Sequence, residues 1–266
     1  MDEPLIRLGG RTVVAMVHVP AMPGTPDFDP RAGMQKLHDW VSRDLEALQS
    51  GGVDAVMFGN EFDRPYVLKA PPEGLAALTA VIVRAKPMID VPFGVNYLWD
   101  PVATVSLAGA TGASFAREIY SGVYASDMGL WTPDCAGAAR LRSQLGREDL
   151  QMLFNINAEF ATSLDTRPLE VRAQSVVFSS KADVVCVSGP MTGQGVEQSE
   201  LSRVRVAIPE TPLLANTGVD LKTAVDILKI ADGCVIGTHL KRDGNTWNPV
   251  DTERVKRFMD RVRSLD

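Results

Sequence analysis

The sequence predicts an α/β fold, a single-domain (β/α)8 TIM barrel spanning residues 1–266. Short β-rich apolar runs alternate eight times with segments of helical periodicity, and no Ser/Gly/Pro linker or charge block divides the chain. The length of 266 residues suits eight strand–helix units closed into one barrel better than an open doubly wound sheet, which has no reason for eight near-even units.

In order, the strand runs cover residues 12–18, 53–60, 92–96, 113–119, 150–157, 182–189, 211–218 and 232–238. They are short and apolar, and five of them end in Gly or Asn. The segments between them carry amphipathic spacing. In MQKLHDWVSRDLEALQSGG, Leu37, Val41, Leu45 and Leu48 fall on one helix face, and Gly51-Gly52 supplies the stop. The last helix opens on Asp251 as its N-cap and aligns Val255, Phe258, Met259 and Val262. Strand, helix and strand in succession require parallel pairing, so chemistry is expected where the βα loops meet, at the C-terminal strand ends.

Composition narrows the partners. A net charge of -6 argues against nucleic acid or an anionic membrane surface, both of which reward clustered Lys and Arg. No run approaches the roughly 20 apolar residues of a membrane span, and the acidic start (Asp2, Glu3) reads as neither signal peptide nor anchor. Cys135, Cys186 and Cys234 lack metal-type spacing and read as free thiols of a reducing cytoplasm, which is the expected location.

The sixth to eighth strand ends carry small residues suited to an anionic headgroup: Ser188 and Gly189 with Thr192 and Gly193, then Thr217-Gly218, then Gly237-Thr238. Lys241, just beyond, reads as a charge partner for an anion. The alternative is that these glycines only make tight turns. The other strand ends are polar. Alternation places Asn155, Asn157 and Glu159 on one side of the fifth strand, while the fourth ends in Arg117 and Glu118, either of which could instead belong to a structural ion pair. The third ends at Asn96, the second runs into Asn60, Glu61 and Asp63 (also a plausible turn former), and the first ends at His18. Glu118, Glu159 and His18 are therefore candidate catalytic groups. Asn96, Asn155, Asp63 and Arg117 are candidate substrate contacts.

No strand end carries a Schiff-base lysine, and three histidines, one of them in a helix, leave no three-His zinc site. No cofactor is implied. Mg²⁺ held by Glu61, Asp63, Glu118 or Glu159 stays open, and neither a GxGxxG nor a Walker pattern occurs.

The segments MVHVPAMPGTPDFD, FGNEFDRPY, GVNYLWDPVA, REIYSGVYASDMGLW, VSGPMTG, LANTGV and KRDGNTWNPVD, in this order, resemble the BtpA/SgcQ family over nearly the whole chain. NEFDRPY, YLWDPVA and LFNI are closest to the SgcQ branch. The resemblance implies a ribulose-phosphate-binding-barrel-like fold and, for that branch, an association with sugar-utilisation gene clusters. The BtpA branch is associated with photosystem I biogenesis. It carries ENFGDAPF after the second strand, where this chain has GNEFDRPY. The resemblance supplies no catalytic residues.

The first reading is thus a cytoplasmic enzyme acting on a small phosphorylated metabolite by isomerisation, epimerisation or aldol-type cleavage. Phosphate would sit at Gly189, Thr217, Gly218, Gly237, Thr238 and Lys241. A non-catalytic assembly factor is the second reading, and a Mg²⁺-dependent nucleoside or nucleotide hydrolase the third. DPRAGM and YSGVYASDMGLW are expected to act as lids, with Leu130 and Trp131 open to a homo-oligomer contact.

Overall fold

The computed structural model describes residues 4–189, 191 and 194–265; Thr192 and Gly193 lie outside these residues. Barrel strands β1 (Thr12–His18), β2 (Ala55–Gly59), β3 (Phe93–Asn96) and β4 (Phe115–Glu118) follow in sequence. A hairpin, β5 (Tyr124–Ser126) and β6 (Gly129–Trp131), interrupts them. Next come β7 (Gln151–Asn155), a short β8 (Ala161–Ser163), β9 (Val184–Ser188), β10 (Leu213–Asn216) and β11 (Gly233–Ile236). The parallel order β1-β2-β3-β4-β7-β9-β10-β11 closes on itself, with Thr12 beside Gly233 and His18 beside Gly59. All eight strand runs read from the sequence contain one barrel strand.

Around the barrel run α1 (Gly33–Ser50), α2 (Pro72–Ala85), α3 (Pro101–Thr111), α4 (Cys135–Gln144), α5 (Leu169–Ser179), α6 (Gln198–Ala207), the short α7 (Ala224–Leu228) and α8 (Thr252–Arg263). Their ends are chemically marked. Asp100 caps α3 by accepting from the Ala103 amide at 3.1 Å, and Asp251 caps α8 by accepting from Glu253 and Arg254. The stretch DPRAGM builds the entry to α1, where Asp29 accepts from the amides of Arg31 and Ala32. It is not among the residues lining the barrel-mouth cavity.

Period-2 alternation divides each strand between two cores. Val13, Val56, Val95, Phe154 and Val187 face the helices. Val14, Met16, Met57, Phe115, Leu153, Cys186, Leu214 and Val235 fill the barrel interior, where the fully buried Ile6 joins them. Gln151 holds this N-terminal segment by accepting from the Ile6 amide and donating to its carbonyl, both at 3.0 Å. No helix of the described residues is long and apolar enough to cross a membrane. Among the cysteines, Cys186 and Cys234 are buried and none is in a disulfide.

Over the mouth, β6, β5 and β8 form a three-stranded antiparallel sheet contributed by the loops after β4 and β7. Trp131 does have a core to join, contrary to its expected exposure. It is 3% exposed and packs against Trp99 at 5.0 Å and Tyr124 at 5.4 Å between ring centroids. Leu130 beside it stays exposed.

Candidate functional site

Two residues above the apolar interior layer, the inward positions turn polar. His18, Asn96, Arg117, Asn155, Ser188 and Asn216 sit at successive strand ends and are all buried. Alternation explains the placement, because each lies two residues beyond an interior-facing position such as Met16, Phe115 or Leu214.

Arg117 is the centre of this layer. Its Nη1 donates to Asn216 Oδ1 at 3.1 Å and its Nη2 donates to Asn96 Oδ1, while Nε has no hydrogen-bond partner. Asn216 passes the network on, donating from Nδ2 to Ser188 Oγ at 2.7 Å and to Asn155 Oδ1 at 3.3 Å. Asn96 Nδ2 donates to Glu118 Oε1 at 3.3 Å. The same carboxylate accepts from the amides of Trp99 at 2.9 Å and Ile119 at 3.1 Å.

Glu61, in the loop after β2, completes the cluster. Its Oε1 lies 3.7 Å from His18 Nε2, and its Oε2 has no partner. Burial raises the Glu61 carboxyl to about 7, against the pull of Arg117 and Lys241. Burial likewise raises Glu118 to about 7, although Arg117 and the two amides favour its ionised form. Burial, then the positive charges of Lys241 and Arg117, hold His18 well below its usual range, so the ring is neutral at physiological pH.

These groups open onto a cavity of about 270 Å³. Its lower wall is Glu61, Glu118, Arg117, Asn155, Asn216 and His18; Tyr66, Trp99, Ile119 and Phe160 make an aromatic and apolar upper wall. Trp99, Phe160 and Thr217 hold positive φ angles of 73°, 53° and 75° around this one cavity. Such angles cost non-glycine residues free energy and cluster where surrounding structure enforces them, often at functional sites.

The expected anion-binding residues divide. Thr217, Gly218, Gly237 and Thr238 do line the cavity, on the wall formed by β10 and β11. Gly237 packs closely on the imidazole there: a Cβ would meet His18 Cε1 at 3.0 Å and Nε2 at 3.1 Å, so a side chain would press the ring to shift. Gly189 does not line the cavity. Its amide donates to Thr217 Oγ1 at 2.8 Å, and that hydroxyl donates to Gln194 O at 3.0 Å. Here the tight-turn alternative describes the geometry, since a Cβ on Gly189 would collide with Gln194 O at 1.9 Å.

Lys241 also faces elsewhere. Its ammonium is fully buried 2.8 Å from Asp44 Oδ2 of α1, so the anion it partners is the protein's own. Asp63 is a loop tie, accepting from the Met22 amide at 2.9 Å and from Asn60 Nδ2 at 3.2 Å. Asn157 exchanges hydrogen bonds with the Ser188 backbone, because β7 ends at Asn155 and the alternation read through 157 stops there. Glu159 reaches the cavity from beyond that strand end. Of the four acids considered as Mg²⁺ ligands, Glu61, Glu118 and Glu159 line the cavity and Asp63 does not; among the described residues no group of three or more His, Cys, Asp or Glu is placed to hold a metal ion.

Two polar members of the site were not singled out as chemical groups by sequence reasoning, nor were Tyr66, Trp99 and Ile119 of its upper wall. Asn216 reads as a turn residue in LANTG, yet it is the last residue of β10 and faces inward. Glu61 was noted only as a possible metal ligand. Its signal was a carboxylate two residues past a strand ending in glycine.

The BtpA family model matches residues 10–264. The chain belongs to the BtpA family. Within it, the chain is 46% identical over 255 residues to the putative sgc region protein SgcQ of Escherichia coli K12, covering 96% of this chain and 95% of that relative. It is 26% identical to the photosystem I biogenesis protein BtpA of Synechocystis, over 94% of this chain and 86% of the other. Among solved structures, phosphoribosyl anthranilate isomerase from Thermus thermophilus superposes with a TM-score of 0.57 at 9% identity. That match covers 96% of this chain and 100% of that one, a likeness of fold. The BtpA-family barrel thus presents two carboxyls and a guanidinium at its mouth.

Proposed function

We propose that this BtpA-family barrel is an enzyme of sugar metabolism that moves protons on a small phosphorylated metabolite, as an isomerase, epimerase or aldolase-type lyase. The observation that carries this reading is the pair of carboxyls, Glu118 buried and Glu61 with its side chain 12% exposed, both raised to about 7 beside Arg117 in one cavity. A carboxyl poised near neutrality can act as either acid or base at cellular pH. Glu61 and Glu118 are the two carboxyls of the cavity raised toward neutrality, and Glu159 lines it as well. No lysine lines the cavity among the described residues, which favours direct proton transfer over a Schiff base.

Thr217, Gly218, Gly237 and Thr238 are the wall that would receive a phosphate, through backbone amides, since the Thr217 hydroxyl is held by Gly189 and Gln194 and the Thr238 hydroxyl by Thr246. The phosphoribosyl anthranilate isomerase is a likeness of fold and does not name the substrate. A cytoplasmic location accords with this reading.

The test is a thermal-shift screen of phosphorylated sugars with inorganic phosphate as reference, each in Mg²⁺ and in EDTA. Stabilisation by one sugar phosphate, followed by its turnover, supports the proposal. No response from any phosphorylated compound sinks it. Recovery of the protein on a membrane complex would then favour the assembly role carried in the name of the Synechocystis relative.

A further inference from the structure

The proposed function leaves open which part of the substrate meets Arg117. That guanidinium is 6% exposed, and no carboxylate lies within ion-pair distance of it among the described residues. Its hydrogen bonds go to two neutral amide oxygens, Asn96 Oδ1 and Asn216 Oδ1, and its Nε is buried without a partner. Both amides hold further bonds, Asn96 to Glu118 and Asn216 to Ser188 and Asn155. Neither side chain can rotate to follow another partner without breaking a second bond. The cation is fixed in place, feels Glu61 and Glu118 across the cavity without a direct ion pair to either, and keeps Nε unpartnered. A buried charge in that condition is costly and favours an incoming anionic oxygen.

We propose that Arg117 is the oxyanion-binding group of the site and that the substrate is an α-hydroxycarbonyl compound, an aldose- or ketose-type phosphate. Its carbonyl oxygen points to the barrel floor while its phosphate faces the Thr217–Gly218 and Gly237–Thr238 wall. This rests on the proton-transfer reading above and assigns its substrate class.

The step balances without any oxidant or reductant. One carboxylate, Glu61 or Glu118, takes the proton from the carbon bearing the hydroxyl. The C–H bonding pair becomes the new C=C bond, and the carbonyl π pair moves onto oxygen, giving an enediolate whose charge lies against Arg117. Return of a proton to the neighbouring carbon, with transfer of the hydroxyl proton to the first oxygen, isomerises the compound. Return to the same carbon from the opposite face epimerises it. Donors already in place where charge develops are the most effective form of electrostatic catalysis.

Two probes separate the floor from the wall. Phosphoglycolohydroxamate carries a phosphate and a planar enediolate-like head, whereas glycerol 3-phosphate carries the phosphate alone. Titration calorimetry on the wild-type protein is expected to show the hydroxamate binding ~10-fold or more tighter, as for mimics of a charged intermediate. Arg117→Lys, which keeps the charge but loses the planar fork, is expected to remove most of that advantage and leave glycerol 3-phosphate affinity within about twofold. Equal affinity of the wild type for both probes overturns the role of Arg117 and leaves the phosphate reading standing. Binding of neither overturns both. Should Arg117→Lys fail to fold, the wild-type comparison alone decides.

Discussion

The barrel interior holds two layers two residues apart on the same strands, and they are chemically opposite. Met16, Phe115, Leu153, Cys186 and Leu214 make the lower layer, fully or almost fully buried and apolar. His18, Arg117, Asn155, Ser188 and Asn216 make the upper layer, about equally buried and entirely polar. Burial therefore does not distinguish them; what the side chains do in burial does. The lower layer gains free energy by leaving water. The upper layer meets its desolvation cost through one hydrogen-bonded network that leaves Arg117 Nε, Glu61 Oε2 and His18 Nδ1 without partners. Stability and chemistry are separated along each strand by a single alternation.

Substitutions should break these layers in different ways. The largest effect is expected from Glu118→Gln: turnover of the substrate found by thermal shift should fall by roughly 10²- to 10⁴-fold, with the melting temperature little changed. Unchanged turnover would remove Glu118 from the chemistry. Outside both layers, Lys241→Met should strand Asp44 in the interior and cost about 3–5 kcal/mol in urea unfolding. Stabilisation of the remaining folded protein by phosphate should persist, and its loss would restore Lys241 as an anion ligand. In the lower layer, Leu153→Ala should cost about 2–5 kcal/mol in stability. Activity per folded molecule should be retained, and its loss would erase the division between layers.

The smallest effect is a pH dependence. The Glu61 carboxyl has a folded-state value of about 7, raised from 4.5, so the folded state binds the proton more tightly than the unfolded one. Its contribution is fully present below about 4.5 and is lost as pH rises through 7. Glu61→Gln cannot ionise. Relative to wild type it should therefore gain stability between pH 5 and pH 8, read by urea melts at both values. An unchanged difference would mean that Glu61 is not held protonated by burial.

The fold was legible because its signals are local. Eight runs of β-rich residues and the helical spacing between them survive in any stretch of ten residues, and each run holds a barrel strand. His18, Asn96, Arg117, Glu118 and Asn155 were legible as a site because a parallel barrel brings every strand's C-terminal end to one mouth. Glu159, Thr217, Gly218, Gly237 and Thr238 reach the same cavity. Gly189 and Lys241 were misread because their residue types suit an anion, while their partners are Thr217 in the next βα loop and Asp44 about two hundred residues away. The mouth sheet was anticipated only as a lid segment. Trp131 finds Trp99 and Tyr124 by cross-strand and inter-loop packing that has no sequence period.

By itself, then, the sequence determined the barrel, the end of it that carries chemistry, and most of the polar residues gathered there, since propensity and alternation act between near neighbours in the chain. Tertiary structure decided which of those residues remain available: it committed Thr217 to the Gly189 amide, closed Lys241 onto Asp44, and left Arg117 without a carboxylate partner. Hydrogen bonds and ion pairs act over about 3–4 Å of space whatever the distance along the chain, so their pairing is fixed only when the barrel closes.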